Sequence, residues 1–132
     1  MPYLQLDVNG RYPIGVKQRL ARDMADAYAR LMAVDIRRIS IAIRELGDGS
    51  VWRMVEGEGT TPQPVSVLMC DIRRGRSPEL RMEVAKALCA LCAQQLGLDE
   101  NRLNVEFTQH SGDEMYHPAL GGYSPEWSED ET

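Results

Sequence analysis

The sequence contains one internal repeat, whose second copy follows the first at an offset of 64 residues. At this offset Asp7 matches Asp71, Leu20 matches Val84 and Asp35 matches Asp99. A long unit that occurs only twice is not a solenoid, because solenoids stack many short units. The repeat therefore predicts two similar units within one domain, residues 1–132. The units span 2–45 and 65–109, a connection spans 46–64, and an acidic tail spans 124–132.

Each unit shows the pattern of a strand, a helix and a second strand. Apolar residues alternate along 3–8 and 39–43, and also along 65–72 and 103–107, which is typical of strands. Between each pair of strands the apolar residues recur at helical spacing. Ser77 and Pro78 favour a helix start, and Gly97 favours the end of that helix.

Two such β-α-β units side by side predict an α+β fold, a four-stranded mixed sheet with both helices on one face. The other sheet face would remain bare. Because the strands as a whole are apolar, we expect that face to be buried against sister subunits.

Composition excludes several classes of function. The net charge is −5, and the tail from Glu126 to Thr132 contributes four acids, which leaves a body of about −1. Such a balance gives no electrostatic attraction to nucleic acid, so no nucleic-acid partner is expected. No apolar run approaches the ~20 residues that cross a bilayer, so no membrane association is expected.

The chain has three cysteines, Cys70, Cys89 and Cys92. An odd number, with two of them in a predicted helix, does not form a disulfide framework. Cys89 and Cys92 have CxxC spacing without a second ligand pair, so we interpret them as small buried residues rather than a metal or redox site. We expect a reducing, cytoplasmic location and no metal.

Pro2 directly follows Met1, and a small second residue normally permits removal of the initiator methionine. Pro2 would then carry a secondary amine. The reference pKa of an α-amino group is ~7.7–8.0, so such an amine can act as a base or an acid near neutral pH. The alternative is that this common dipeptide has no functional meaning.

Met-Pro leads directly into a strand, which is followed by Gly10-Arg11, a helix and a second strand, and the unit is then repeated once. In this order of elements the chain resembles the tautomerase superfamily. The resemblance covers nearly all of residues 2–117. It implies an amino-terminal proline catalyst and no cofactor. Fused two-unit chains resemble the cis-3-chloroacrylic acid dehalogenase, malonate semialdehyde decarboxylase and macrophage migration inhibitory factor groups. For such chains the resemblance implies a trimer.

The second unit resembles the dehalogenase segment in which two arginines, three residues apart, hold the substrate carboxylate; these correspond to Arg73 and Arg76. Two guanidinium groups between a strand and a helix N-terminus suit an anion. The alternative is a solvated basic turn. Arg11 has the same Gly-Arg setting without a second arginine, so we expect an asymmetric anion site.

Other positions depart from the dehalogenase pattern. Tyr28 stands where the family has a histidine, His117 where it has a water-activating glutamate, and Glu106 where it has a tyrosine. His117 and Tyr28 are candidates for binding a carbonyl or orienting water, and Glu106 for polarising water or pairing with an arginine. Trp52 and Met115 are candidate apolar walls of a substrate pocket, or else core or trimer contacts.

These residues predict a tautomerase of a small 2-oxo or enol carboxylic acid, with Pro2 as general base and acid. One alternative is a cofactor-independent hydratase, 3-haloacrylate dehalogenase or malonate semialdehyde decarboxylase that uses protonated Pro2 as the acid. A second is a non-enzymatic binding protein with the same fold.

Overall fold

A computed structural model describes residues 2–57 and 59–131 of the chain. Its elements, in order, are β1 (Tyr3–Val8), α1 (Ile14–Met32), β2 (Ser40–Glu45), β3 (Trp52–Gly57), β4 (Gly59–Pro64), β5 (Ser66–Arg73), α2 (Pro78–Leu96) and β6 (Leu103–His110). Single-turn 3-10 helices precede β2 (Ile36–Arg38) and β6 (Glu100–Arg102). Both α-helices have 19 residues, and their first residues are 64 positions apart.

The main sheet has the strand order β2-β1-β5-β6. The outer pairs β1–β2 and β5–β6 are parallel, whereas the central pair β1–β5 is antiparallel. This confirms the predicted four-stranded mixed sheet. Because the central strands run in opposite directions, the start of β1 lies beside the end of β5, with Tyr3 opposite Asp71.

The core lies between one face of this sheet and the two helices. Alternate residues of β1 and β5 face the helices and are fully buried, as are the helix residues Leu20, Met24, Val84, Leu88 and Cys92. Burial of such side chains contributes roughly 1.5–3 kcal/mol each. The helix ends also agree with the sequence prediction, because Ser77 Oγ accepts a hydrogen bond from Leu80 N–H at 3.1 Å and Gly97 closes α2 in the left-handed conformation.

The bare sheet face is mixed in character rather than apolar throughout. Val67 and Met69 lie on that face beside polar residues such as Asp7, Asp71 and Thr108, and several of the polar residues are paired. Arg44 Nε donates to Asp7 at 2.6 Å, and Thr108 Oγ1 donates to Asp71 at 2.9 Å. The apolar half of each strand faces the helices, so apolarity does not by itself require this face to be covered.

The connection between the units contains a β-hairpin, formed by β3 and β4. Strands β3 and β4 pair only with each other among the described residues, with Trp52 opposite Pro64. Asn9, just after β1, fixes the base of the hairpin: its side chain accepts from Ser50 N–H and Val51 N–H, both at 2.8 Å, and donates to the carbonyl of Val65 at 3.1 Å. The hairpin therefore leaves the body at the end of β1.

No helix within the described part of the chain is both long enough and apolar enough to cross a membrane.

Candidate active site

A cavity of about 380 Å³ opens where β1 starts and β5 ends. The carboxyl end of α1 and the residues that lead into α2 close its sides, because the helices lie on the strands they connect. Five of the residues singled out from the sequence line it: Pro2, Tyr28, Arg73, Arg76 and Met115. The antiparallel pairing of β1 with β5 thus brings the proline and both arginines together within one chain.

Pro2 is buried, and its carbonyl accepts a hydrogen bond from Ser40 N–H at 3.0 Å. This bond ties Pro2 to the start of β2. Met1, whose removal is expected, lies outside the described residues.

Tyr28 projects from α1 into the same cavity and is only 2% exposed. Burial raises the pKa of its phenol, and the nearby Arg76 offsets this only in part. The hydroxyl group therefore stays protonated well above neutral pH. It is suited to donating a hydrogen bond and not to acting as a base.

Arg73, the last residue of β5, is already engaged by an acidic side chain. Its Nε donates to Glu131 Oε1 at 2.7 Å, and its Nη2 donates to the same oxygen. Its Nη1 donates to Ser124 Oγ at 3.1 Å. Gly112 lies flat against this guanidinium, since a Cβ there would be 3.0 Å from Arg73 Cζ.

Arg76 differs from Arg73. Its Nη2 donates to the carbonyl of Met32 at 3.1 Å, which ties the start of α2 to the end of α1. Among the described residues, no carboxylate is within ion-pair distance of it. The two arginines are therefore not equivalent, and Arg76 keeps its charge available to a ligand.

The other three candidates do not line the cavity. Glu106 lies exposed on the opposite sheet face, beside Met69 of β5. Trp52 lies on the hairpin, 49% exposed, and its indole N–H donates to the carbonyl of Gly49 at 2.8 Å. His117 donates its main-chain N–H to the carbonyl of Gly122 at 3.0 Å, and its Nδ1 is buried with no partner within the described part of the chain.

Four further polar residues line the cavity and were not singled out as candidate site residues from the sequence: Asp35, Arg38, Ser124 and Glu126. Glu126 Oε2 lies 3.6 Å from Arg73 Nη1 and 3.9 Å from Arg38 Nη1. Arg38 and Arg102 are also 64 residues apart and therefore match in the repeat, which is the one sequence signal for this arginine. The tail residues carried only the signal of an acidic run, which usually indicates a solvated segment.

A second cavity, of about 240 Å³, lies at the other end of the sheet and corresponds to the first through the repeat. Ser66 takes the place of Pro2, Asn9 that of Arg73, and Tyr12 that of Arg76. Arg102 takes the place of Arg38, but it donates to Gln63 at 2.7 Å. Only the first cavity therefore combines a proline with several arginines.

The cysteines lie away from both cavities. Burial raises the pKa of the Cys70 and Cys92 thiols to about 12, and it raises that of Cys89 as well. These thiols are therefore protonated at neutral pH, which is typical of structural cysteines. In the part of the chain that the structure describes, no group of three or more His, Cys, Asp or Glu residues is arranged to hold a metal ion.

Comparison with known proteins identifies the fold. No family model matches the chain, and neither does any curated protein. Among solved structures, a fused 4-OT symmetric trimer superposes with a TM-score of 0.75 at 18% identity, over 92% of this chain and 94% of that one. Pt0534, inactivated by 2-oxo-3-pentynoate, gives 0.73 at 19% identity over the same shares. N1, of the cis-3-chloroacrylic acid dehalogenase family, gives 0.76 at 14% identity, over 94% and 84%. The chain therefore has the tautomerase fold.

Proposed function

We propose that this chain is a tautomerase-superfamily enzyme that interconverts the keto and enol forms of a small 2-oxo carboxylic acid. The observation that carries the proposal is the position of Pro2, buried at the start of β1 in a cavity that also contains three arginines and a buried tyrosine. A charged acid that enters this cavity would meet cations and a hydrogen-bond donor next to the proposed base.

The proposed base is the secondary amine that Pro2 carries once Met1 is removed. Burial and the neighbouring guanidinium groups are the features of the cavity that favour the uncharged amine, and the carboxylates of Asp35 and Glu126, which also line it, oppose them. An uncharged amine at neutral pH can accept a proton, and the resulting ammonium can return it. The same group therefore serves both half-reactions.

The proton transfer is written for the enol form. The Pro2 nitrogen takes the proton of the enol hydroxyl group and delivers it to the substrate carbon that becomes saturated, while the carbon–oxygen double bond forms. Arg76, whose charge is unpaired by any described carboxylate, binds the substrate carboxylate. The Tyr28 hydroxyl group donates a hydrogen bond to the oxygen that carries negative charge between the two steps. The proposal includes no metal or organic cofactor.

One observation favours a second candidate, a hydratase, dehalogenase or decarboxylase of a three-carbon acid. Glu126 places a carboxylate at the cavity wall, where it can orient a water molecule toward an unsaturated substrate. His117 and Glu106, which the sequence suggested for orienting or polarising water, do not line the cavity of the single chain. In this candidate Pro2 is protonated and acts as the acid. N1, which has the same fold, is a member of a dehalogenase family.

We also propose a homotrimer. The support is the fused 4-OT of the same fold, which is a symmetric trimer. The mixed polar sheet face described above, which carries residues such as Gln5 and Asp71, is the face free to meet other subunits.

The N-terminus provides the decisive test. Intact mass should show that Met1 is absent, and 2-oxo-3-pentynoate, which inactivates Pt0534, should add one molecule to the N-terminal peptide. In that addition the amine nitrogen bonds to the alkyne carbon remote from the carbonyl, and the adjacent carbon takes the proton. Insertion of a glutamate between Met1 and Pro2 should retain the methionine, acylate the Pro2 nitrogen and prevent labelling.

Turnover should be measured in parallel with an enol-pyruvate, a 3-haloacrylate and malonate semialdehyde. Pro2→Ala exchanges the secondary amine for a primary one and should abolish turnover while the fold is kept. Nearly full activity of Pro2→Ala toward every accepted substrate would refute the proline mechanism. A chain that retains Met1 and turns over none of the three would support the non-enzymatic binding protein.

A further inference from the structure

The carboxylate of Glu131 lies in a cradle of N–H donors beside the candidate active site. Arg73 donates through Nε, at 2.7 Å, and through Nη2, and the main-chain N–H of Gly112 donates to the second oxygen. The Glu131 side chain is only 11% exposed. The cradle, formed by the Arg73 guanidinium and Gly112 N–H, therefore recognises a carboxylate at both of its oxygens.

The segment that carries Glu131 is fixed at its other end as well. We call residues 124–131 the C-terminal strap. Ser124, 4% exposed, donates its N–H to the carbonyl of Gly112 at 2.9 Å and accepts from Arg73 Nη1 at 3.1 Å. Trp127 of the strap packs edge-on against Tyr123, which precedes the strap, with ring centroids 5.4 Å apart. The strap thus runs along the cavity wall and ends with its carboxylate on Arg73.

This contact conflicts with one part of the sequence prediction, in which Arg73 holds the substrate carboxylate. A guanidinium binds a carboxylate bidentately through one edge. In Arg73 the Nε–Nη2 edge is occupied by Glu131, and a hydrogen of Nη1 is used by Ser124. A substrate carboxylate can take the same edge only after Glu131 has left it.

We propose that Glu131 is an internal ligand of this cradle and that the C-terminal strap competes with the substrate carboxylate for Arg73. The inference rests on the proposed function for the nature of the substrate. A ligand tethered to its own site is present at a local concentration of the order of millimolar, so it competes even when its intrinsic affinity is weak. Substrate then binds in two stages, first at Arg76 and then, with release of the strap, at Arg73.

Trp127 allows strap release to be observed without turnover. The chain has two tryptophans, so a Trp52→Phe background leaves Trp127 as the only one. Titration with 2-oxobutanoate should change the Trp127 emission in a saturable way, and its methyl ester should not. Glu131→Gln in the same background should show the released emission from the outset and no further response. Glu129→Gln, an equal loss of charge at an exposed strap position, is the matched control and should behave as the parent.

Kinetics with the accepted acid substrate provide the second readout. If the strap is bound about nine-tenths of the time, Glu131→Gln should lower KM about tenfold while kcat is retained. Glu129→Gln should leave both unchanged. A raised KM or a lowered kcat in Glu131→Gln would overturn the proposal, because Glu131 would then position Arg73 for catalysis.

The two readouts separate this inference from the proposed function. If no variant turns over any enol but the acid still shifts Trp127 emission through Glu131, the proposed function fails and the internal ligand stands. If the acid is turned over and the emission of the parent does not respond to it, the strap does not compete and the inference fails.

Discussion

Replacement of Arg76 by alanine gives the sharpest test of how the substrate is held. Arg76 lines the cavity, and no described carboxylate pairs with it, so its charge is available to a substrate. A charge-assisted hydrogen bond contributes roughly 1.5–3 kcal/mol, which corresponds to a loss of about 10- to 100-fold in kcat/KM. The change also removes the 3.1 Å bond to the carbonyl of Met32. That bond contributes about 1 kcal/mol to the free energy of unfolding, which urea denaturation measures separately.

The assay compares the acid substrate with its uncharged ester across a small set of variants. Arg76→Lys should recover only part of the loss, because lysine keeps the charge but lacks the planar fork. Arg11→Ala is the matched control: Arg11 also follows a glycine, but it is exposed and does not line the cavity. Arg73→Ala should be compared with the double variant Arg73→Ala/Glu131→Gln. The single change leaves the Glu131 carboxylate without its arginine near the substrate, and the double change removes that charge. If acid and ester respond equally to Arg76→Ala, the arginine is structural and the carboxylate is held elsewhere.

Four further predictions concern the proposed trimer, a buried thiol, the strap and the ends of the two helices. Light scattering should show a trimer at micromolar concentration, and a stable monomer would contradict this. Burial raises the pKa of Cys70 to about 12, so at pH 8 iodoacetamide should label the native thiol far more slowly than the thiol in urea. Arg73 holds the pKa of Glu131 below its usual range. The strap should therefore be fully attached at pH values above the usual pKa of glutamate and should detach as the pH falls through the lowered pKa. Trp127 emission measures this detachment. Ala33, left-handed at φ 54°, matches Gly97 at φ 68°, so Ala33→Gly should raise the free energy of unfolding by about 1 kcal/mol and Gly97→Ala should lower it similarly.

The repeat explains why the fold could be predicted. Helix and strand periodicities were present in both copies, and each copy supported the interpretation of the other. Ser77 and Gly97 mark the ends of α2 through local hydrogen bonds and local backbone geometry, which depend on neighbouring residues alone. The mixed character of the bare sheet face was also present in the sequence, where Gln5 and Asp7 alternate with the buried Leu4, Leu6 and Val8, and it was missed because the strands were judged as a whole.

The hairpin and the strap could not be predicted in the same way, because distant residues fix them. The base of the hairpin is held by Asn9, more than 40 positions earlier in the chain than Val51. Glu131 is held by Arg73, 58 positions away. Nothing in the local pattern around Glu131 distinguishes it from Glu129. An acidic run indicates a solvated segment until the basic partner and its place in the fold are known.

The second cavity has a consequence for how the two halves of the chain can change. A polypeptide has a single amino terminus, so joining two units end to end leaves the second with an ordinary peptide nitrogen at Ser66, whatever residue stands there. Under the proposed mechanism, catalysis at that position is lost at the moment of fusion rather than by later substitution. Asn9 can then hold the hairpin, as it does here, and substrate binding no longer constrains Tyr12 and Arg102. Under the proposed mechanism, substrate binding constrains the first cavity alone, which would explain why the two halves share a backbone but differ in the residues at their ends.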